Sequence, residues 1–464
     1  MKKITQTLLI LIAFVSCKTA QEEAKTTIAP VTSAMMETAV IYEANIRQYS
    51  PEGTFDAFTK DIPQLKKLGV KVIWLMPIFP ISETNRKAKG DLMVHDIKDA
   101  EERKKYLGSY YAVSDFTKIN PEFGTIEDFR ELVKAAHENG IYIILDWVPN
   151  HTGWDHKWLK TNPEFYTKND QGAVIYPEGT DWTDVADLNY DNKDLHTAMI
   201  ADLKYWITEE GVDGYRCDVA GSVPTTFWEK AIPQLRAEKA LFMLAEAWEP
   251  ELLKEGLFDM AYAWEGHAIM NAIAKEEKGV KEWSTYMEKM STEYEEDDIL
   301  MNFITNHDEN SWNGTINERM KGAAEMLLAL SYVSPGMPLI YSGQEYDLNH
   351  RLKFFEKDSI PKEKGNMWSL LEKLGKLKTS NFAMHGGKNA ANYKNIATAN
   401  ENVLVFTREK EGQLITFVAN FSGKEQKINN AIKGEYVNYM IDEKVAFTDE
   451  TISLRPWEYM ILTH

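Results

Sequence analysis

The sequence predicts an α/β protein in which a parallel barrel of eight strands is followed by a compact antiparallel β domain. The first observation is a unit that recurs along the chain: a helix-spaced apolar segment, a glycine and a short apolar run, as in residues 195–207, Gly211 and residues 212–218. The second is a change of pattern after about residue 390, where short strand-like runs alternate with Gly, Asn and Lys turns. Helix, glycine and buried strand in succession are typical of parallel α/β folds.

The repeating unit can be followed from about residue 38 to about residue 341. Its first copy has helix-spaced apolar residues up to Leu68, then Gly69; its second starts at the capping residue Thr125 and ends its helix at Gly140. Eight strand segments predict a TIM (β/α)8 barrel with insertions. An open, doubly wound sheet is the alternative, but no Gly-rich phosphate loop in the sequence supports it. The predicted strands are residues 39–44, 70–76, 141–145, 212–218, 241–245, 258–262, 300–305 and 337–341.

These boundaries divide the chain into domains. The barrel is expected over residues 37–389. Residues 152–186 are expected to form a short inserted subdomain after strand 3, because this Trp-, Asp-, Gly- and Pro-rich stretch separates a strand end from the next helix. Residues 390–464 are expected to form an antiparallel β-sandwich. Its predicted strands are residues 403–407, 414–419, 436–441 and 459–462.

The first residues have the pattern of a targeting signal. Lys2 and Lys3 precede an apolar run over residues 8–15, which is too short to span a bilayer. The run ends in Phe-Val-Ser-Cys17, which resembles a bacterial lipoprotein cleavage box. We therefore expect a signal peptide over residues 1–17, a lipid-anchored Cys17 at the outer membrane, on its surface or periplasmic side, and a flexible tether over residues 18–36. An ordinary signal peptide with a chance cysteine is the alternative.

Charge and cysteine content exclude some classes of function. The formal net charge of −19 argues against a nucleic-acid partner, because nothing basic would offset the repulsion between protein and phosphate. Two cysteines exclude a disulfide framework. Cys217 lies within a predicted strand and is expected to be a small buried side chain. The composition fits a protein that acts on a neutral substrate.

Four short polar segments, in a fixed order, follow predicted strands. In a parallel barrel the C-terminal strand ends meet at one rim, so these segments should converge on one site. Three carboxylates that converge in this way favour acid/base and nucleophilic chemistry on a glycosidic bond. The segments are Asp146-Trp-Val-Pro-Asn150-His151, Gly214-Tyr-Arg216-Cys-Asp218, Leu244-Ala-Glu246-Ala-Trp248 and Thr305-Asn-His307-Asp308.

This ordered set resembles the α-amylase family, glycoside hydrolase family 13, and the resemblance covers residues from about 38 to 464. It implies that Asp218 is the nucleophile, that Glu246 is the general acid and then the base, and that Asp308 grips sugar hydroxyls and favours a distorted ring. The implied activity is retaining hydrolysis of α-1,4-glucosidic bonds in starch-like glucans or maltooligosaccharides. The chemistry would need no cofactor.

The resemblance also implies a set of substrate-binding residues. Arg216 would hold Asp218 ionised and oriented, since two residues apart on a strand they share one face. His151 and His307 would donate hydrogen bonds to the bound glucosyl unit. Tyr111 would stack under that sugar, and Trp248 on the sugar of the leaving group. Asp146 is expected to anchor its strand end.

The sequence departs from many α-amylases just after the nucleophile, where Gly221 and Ser222 replace a Lys-His pair. In those enzymes the histidine backbone is a calcium ligand, so the usual calcium site is in doubt, although Asn150 and Asn189 are candidate ligands. The flank of Asp218, and Trp248 after the acid, instead resemble the cyclomaltodextrinase and neopullulanase branch. Cyclomaltodextrin or pullulan hydrolysis, or glucan transfer, is therefore the alternative activity. A non-catalytic glucan-binding protein is disfavoured, because all three carboxylates are present.

Overall fold

Eight parallel strands close into a barrel in this computed structural model, which describes residues 28–429, 432–448 and 451–464. Each strand pairs with its neighbour in the chain, and the last pairs with the first, which confirms the predicted barrel and excludes the open sheet. The strands are β1 (Val40–Ala44), β2 (Val70–Leu75), β3 (Tyr142–Trp147), β4 (Gly214–Cys217), β5 (Phe242–Ala245), β6 (Met260–Tyr262), β7 (Ile299–Asn302) and β8 (Met337–Tyr341).

Helices surround the barrel, and the longer ones begin where capping residues predict. Thr125 forms a capping box with Asp128, in which the side chain of each residue accepts the backbone N–H of the other. Asn192 caps the next long helix through the N–H of Asp194. The longer helices are Ile126–Glu138, Lys193–Thr208, Thr225–Arg236, Trp264–Ala274, Val280–Glu293, Ala324–Val333 and Asn366–Ser380; the shorter ones are Ser33–Glu37, Ile46–Tyr49, Phe55–Thr59, Ile62–Leu65, Ala100–Arg103, Trp158–Thr161 and Ile316–Met320. Among the described residues, none of the helices is both long and apolar enough to cross a bilayer.

Several strand boundaries differ from the prediction by one to three residues, and two of these differences lie near the functional rim or its neighbouring strands. β4 begins at Gly214, although the backbone of Asp213 already bonds to both neighbouring strands: its N–H donates to the carbonyl of Ile143 and its carbonyl accepts the N–H of Phe242. β7 ends at Asn302, whereas the apolar run had suggested residue 305. The shorter strand leaves room for the turn that carries the last of the four polar segments.

Side chains alternate between the barrel interior and the helix layer, as expected for a closed sheet. Ile41, Trp74 and Leu339 belong to the apolar cluster inside the barrel, together with Met35 and Met36 from helix Ser33–Glu37. That helix therefore covers the N-terminal end of the barrel. Within the tether predicted over residues 18–36, Val31, Met35 and Met36 are buried, while Thr32 and Ala34 are exposed. Cys17 and residues 18–27 lie outside the described residues.

Two long excursions rise above the C-terminal rim of the barrel. The predicted insertion after β3 is closed by a short antiparallel pair, His151–Gly153 with Val185–Asp187. A second excursion, residues 76–125 after β2, was not predicted; it contains the hairpin Lys87–Lys89 with Leu92–Met93. Ile81, Ala112 and Val185 pack together, so the two excursions form one wall.

The C-terminal part forms two packed antiparallel sheets, which confirms the predicted β domain. Along one strand, Leu404 and Phe406 face the barrel while Val403 and Val405 face the smaller sheet, an alternation with the strand period of two. Four of its strands were not predicted, because they are short and rich in polar residues. The strands are β9 (Asn392–Asn395), β10 (Val403–Lys410), β11 (Gln413–Asn420), β12 (Gln426–Ile428), β13 (Gly434–Asn438), β14 (Glu443–Phe447), β15 (Ile452–Leu454) and β16 (Tyr459–Thr463).

Candidate active site

A cavity of about 480 Å³ opens at the C-terminal rim of the barrel and contains the three predicted carboxylates. The backbone continues the sheet pattern beyond the strands: the Asp218 N–H donates to the carbonyl of Trp147, and the Glu246 N–H to that of Cys217. Asp218 and Glu246 therefore lie at the ends of adjacent strands. The lining residues are Lys87, Gly90, Ser109, Tyr111, His151, Asp181, Trp182, Asp184, Val185, Asp218, Val219, Glu246, His307, Asp308, Trp312, Phe354 and Phe355.

Arg216 joins the carboxylates into one group. Its Nη1 lies 3.0 Å from Asp218 Oδ1 and 2.8 Å from Asp146 Oδ1, and its Nη2 lies 2.8 Å from Glu246 Oε2. Its Nε donates to Tyr262 Oη. The guanidinium is fully buried, so its charge acts at low dielectric and is shared among three acids. This bears out the close approach of Arg216 to Asp218 that the strand spacing predicts.

Burial sets the protonation behaviour of the acids. It raises the pKa of Asp218, and the nearby charges of Glu246 and Asp146 raise it further, while Arg216 opposes the rise. Burial likewise raises the pKa of Asp308, with His307 acting against it. One guanidinium among several buried carboxylates favours a proton retained within the group. A retained proton is what an acid catalyst must supply.

The turn after Asp218 is strained and contacts the second acid. Val219 has φ 38° and ψ 46°, a left-handed conformation that costs energy for a β-branched residue. Its N–H donates to Glu246 Oε2 at 2.8 Å. The strain therefore orients a backbone donor toward the carboxylate of Glu246.

Asp146 is an anchor within the site, as expected for its strand end. Besides Arg216, its carboxylate accepts hydrogen bonds from Trp74 Nε1 at 3.1 Å and from Tyr111 Oη at 3.2 Å. Burial raises the pKa of Asp146 to about 6, although Arg216 opposes the rise. Asp146 therefore holds both the guanidinium and the ring of Tyr111 in place.

His307 and Tyr111 form part of a buried hydrogen-bonded chain. His307 Nδ1 lies 2.5 Å from Glu43 Oε1, and His307 Nε2 lies 2.7 Å from Tyr111 Oη. Although burial lowers it, the charges of Asp308 and Glu43 raise the pKa of His307 to about 9. A protonated His307 donates from both ring nitrogens, and Tyr111 then donates to Asp146. These hydrogen bonds fix the rings of His307 and Tyr111, both of which are predicted to contact the sugar.

His151 lines the same cavity but has the opposite electrostatic character. Burial lowers its pKa to about 3, so the imidazole is neutral near pH 7. Its ring lies 5.5 Å from that of Trp182, in the inserted subdomain. The structure thus brings His151, His307 and Tyr111 to the cavity with Asp218, Glu246 and Asp308.

Trp248 lies outside this cavity. Its side chain is 61% exposed and lines a separate depression with Trp264 and Tyr294, whose hydroxyl donates to the Trp248 carbonyl. Beside it, a Cβ on Gly221 would lie 3.0 Å from the Glu249 carboxylate. The absence of a side chain at 221 therefore allows Glu249 to approach the turn after Asp218.

The two candidate calcium ligands are engaged in local contacts. Asn189 Oδ1 accepts the N–H of Asp191 at 3.1 Å, and the Asn150 amide lies 3.3 Å from His151 Nδ1. Across residues 28–429, 432–448 and 451–464, no three His, Cys, Asp or Glu side chains converge where they could hold a metal.

Several site residues escaped sequence reasoning. Glu43 lies within the apolar run of β1, and only its pairing with His307 reveals its role. Trp182 and Lys87 reach the cavity from the two excursions, and Trp312 and Phe354 from the loops after β7 and β8. Trp312 sits in a π-helix, Glu309–Asn313, directly after Asp308, a rare element often found at functional sites.

Comparison with known proteins agrees with this geometry. The chain is 24% identical to "Alpha-amylase 3" of Dictyoglomus thermophilum, across 91% of this chain and 93% of that protein. It is 25% identical to the cyclomaltodextrinase of Thermoanaerobacter pseudethanolicus, across 84% of this chain and 69% of that protein. It superimposes on the crystal structure of an α-amylase from Lactobacillus plantarum with a TM-score of 0.81 and 28% identity. The superposition covers 93% of this chain and 100% of that one. Because the family described as "Alpha amylase, catalytic domain" matches residues 22–376, the chain belongs to the α-amylase family.

Proposed function

We propose that this protein is a retaining glycosidase that cleaves α-1,4-glucosidic bonds in starch-like glucans or maltooligosaccharides. The observation that carries the proposal is the single guanidinium of Arg216, which contacts Asp218 and Glu246 at adjacent strand ends. Retaining hydrolysis requires a nucleophile and an acid only about 5–5.5 Å apart, a separation that neighbouring strands can supply.

The proposed reaction has two steps. Asp218 attacks the anomeric carbon while Glu246 gives its proton to the departing glycosidic oxygen, so that a covalent glycosyl-enzyme forms and an alcohol leaves. Glu246, now ionised, then takes a proton from water, whose oxygen displaces Asp218 from the sugar. The bond to Asp218 breaks, Glu246 regains its proton, and the product keeps the α configuration.

The remaining cavity residues would bind and orient the sugar. The ring of Tyr111, fixed by Asp146 and His307, offers an apolar face for the glucosyl unit at the cleaved bond. Asp308 would accept hydrogen bonds from ring hydroxyls, and His151, being neutral, can donate or accept one. Hydrogen bonds that strengthen as the ring distorts favour the transition state.

Replacement of the nucleophile tests the proposal. Asp218→Asn should reduce kcat on maltoheptaose by at least about 10⁴-fold, because a neutral amide cannot form the glycosyl-enzyme. Asp202→Asn, which removes a mostly buried acid on a barrel helix, is the control and should retain activity. Proton NMR of the first product should show the α anomer. A β anomer, or wild-type activity in Asp218→Asn, would overturn the assignment.

A second activity, hydrolysis of cyclomaltodextrin or pullulan or transfer of glucan chains, is favoured by the turn after Asp218. There Gly221 admits Glu249 to the turn after the nucleophile, which gives this side of Asp218 an acid for a leaving or accepting sugar. A time course of products from maltoheptaose, cyclodextrin and pullulan separates the activities. Products longer than the starting maltoheptaose would identify transfer.

We also propose that catalysis needs no cofactor. The side-chain oxygen of Asn189 already accepts the N–H of Asp191, which supports activity without calcium. Dialysis against EDTA should leave the melting temperature and kcat unchanged. A drop that added calcium reverses would contradict this.

The Phe-Val-Ser-Cys17 segment supports a further proposal, that the mature protein is anchored to the outer membrane through a lipid on Cys17. Cys17→Ser should abolish incorporation of labelled palmitate and release the protein from the membrane fraction. Processing that is insensitive to globomycin would argue for an ordinary signal peptide.

A further inference from the structure

Four aromatic side chains form one wall of the substrate cavity, named here the aromatic wall: Tyr111, Trp312, Phe354 and Phe355. The rings of Tyr111 and Phe354 are parallel within 6°, with centroids 6.4 Å apart. Trp312 packs against Phe354 at 5.1 Å and against Phe355 at 6.1 Å. The aromatic wall therefore adds three further rings to the surface of Tyr111.

Two of the four residues of the aromatic wall, Phe354 and Phe355, lie on a loop that contains no helix or strand. Phe354 and Phe355 lie in residues 353–358, between the short 3₁₀ turn after β8 and helix Asn366–Ser380. A loop of this kind holds its side chains in place only if other parts of the protein bind its backbone. For residues 353–358 such contacts come from the helical turn Ile46–Tyr49.

The side chain of Gln48 supplies three of them. Its Nε2 donates to the carbonyls of Lys353 at 2.7 Å and Glu356 at 2.8 Å, and its Oε1 accepts the N–H of Asp358 at 2.6 Å. Its backbone carbonyl accepts the N–H of Ile360 at 2.9 Å. Gln48 is completely buried, so an apolar replacement would leave these backbone groups unpaired.

The loop is also joined to the segment that carries Tyr111. The N–H of Leu107 donates to the Phe355 carbonyl at 2.7 Å, and the buried Arg47 donates to the carbonyls of Gly108 and Phe354. Gln48 and Arg47 both lie in the helical turn Ile46–Tyr49, directly after β1. Two adjacent side chains that follow a barrel strand thus bind both the loop of Phe354 and Phe355 and the segment just before Tyr111.

We propose that Gln48 is a positioning residue that fixes residues 353–358, so that Phe354 and Phe355 complete the aromatic wall and bind the glucosyl units beyond the one at Tyr111. Gln48 does not line the cavity, and it acts only through the loop. The inference rests on the proposed α-glucan substrate. Its physical basis is that sugar rings stack on aromatic faces, and that a stacking surface contributes affinity only when its geometry is held.

The expected kinetic effect follows from where the wall lies. A contact with sugars away from the cleaved bond stabilises the bound substrate and the transition state alike, so its loss raises KM and leaves kcat nearly unchanged. For Gln48→Met on maltoheptaose we expect a rise in KM of about tenfold and a change in kcat below about threefold. With an aryl α-glucoside, whose single glucosyl unit occupies the position at Tyr111 and does not extend to Phe354 and Phe355, KM should change much less.

The control variant is Asn420→Leu in the C-terminal domain. Asn420 is equally buried, and its amide donates to the carbonyls of Lys424, Leu454 and Arg455, but it holds no cavity loop. It should lower the melting temperature without raising KM. Phe354→Ala should reproduce the KM of Gln48→Met, and the double variant should add little to either change, because both act on one surface.

A readout independent of activity is limited trypsin digestion of the folded protein. Gln48→Met should be cut faster than wild type after Lys353 and Lys357, whereas Asn420→Leu should not. Wild-type KM in Gln48→Met, or additive effects with Phe354→Ala, would overturn the inference. If wild type cleaved no α-glucan, the proposed function would fail, while the digestion would still report on the loop; unchanged digestion would refute the positioning role.

Discussion

Replacement of Glu43 by glutamine should change the protonation of a histidine that is far away in the chain. Glu43 and His307 are 264 positions apart, yet their side chains meet at 2.5 Å in the buried interior. Glu43→Gln keeps the shape of the side chain and removes its charge. Because burial alone lowers the pKa of His307, loss of this partner should bring the value of about 9 down by at least one to two pH units.

The size of the effect on stability follows from that pKa. A rise from 6.5 to about 9 on folding corresponds to about 3 kcal/mol of stability from the protonated imidazole. Since the folded-state pKa lies above the ordinary one, this stability is fully present below pH 6.5 and is lost as the pH rises through about 9. The Glu43→Gln protein should lose less stability than wild type between pH 6.5 and 9.

The direct assay is NMR of protein with ¹³C-labelled imidazoles. The chain has ten histidines, and the His307 resonance is identified by its absence in His307→Asn. Thermal unfolding at several pH values then compares wild type with Glu43→Gln, and other titrating groups cancel in the difference. An unchanged titration of His307 in Glu43→Gln, or parallel pH dependences of the melting temperature, would refute the assignment of the pair.

Two further changes probe buried charges. Arg216→Met should destabilise the fold by about 3–5 kcal/mol near pH 8, because it leaves three buried acids without their cation. The loss in melting temperature should shrink at pH 5, where these acids can take up protons; an equal loss at both values would contradict this. His156→Phe should reduce acid sensitivity: burial lowers the pKa of His156 to about 3, so the wild-type protein loses stability as the pH falls from 6.5 toward 3. Urea midpoints measured from pH 7 to pH 4 should fall more steeply in wild type than in the variant.

Local patterns were sufficient for the barrel and for the three acids. Each strand of the barrel is a short apolar run near a glycine or a turn, and its side chains are buried on both faces, so periodicity and composition reveal it. The acids follow such runs directly, and in a parallel barrel every such position lies on one rim. Asp218, Glu246 and Asp308 could therefore be placed together without any knowledge of distances.

Residues whose role depends on long-range contacts could not be found in this way. Gln48 looks like any polar residue in a short helical turn, and its partners lie about 300 positions later. Phe354 and Trp312 are aromatic residues in loops, where the sequence cannot say which side chain faces a cavity. Trp248 is the opposite case. It follows Glu246 in the motif and was predicted to stack on a sugar, but it lies outside the cavity.

The sequence by itself therefore determined the strand segments, the rim at which chemistry occurs and the acids that would perform it, because each follows from a pattern within a short stretch of chain. Only the tertiary structure decided how Arg216 is shared among those acids, how Glu43 charges His307, and how two excursions and two loops enclose the cavity. Those features arise where segments far apart in the chain meet at low dielectric, and there geometry rather than local pattern sets the interaction.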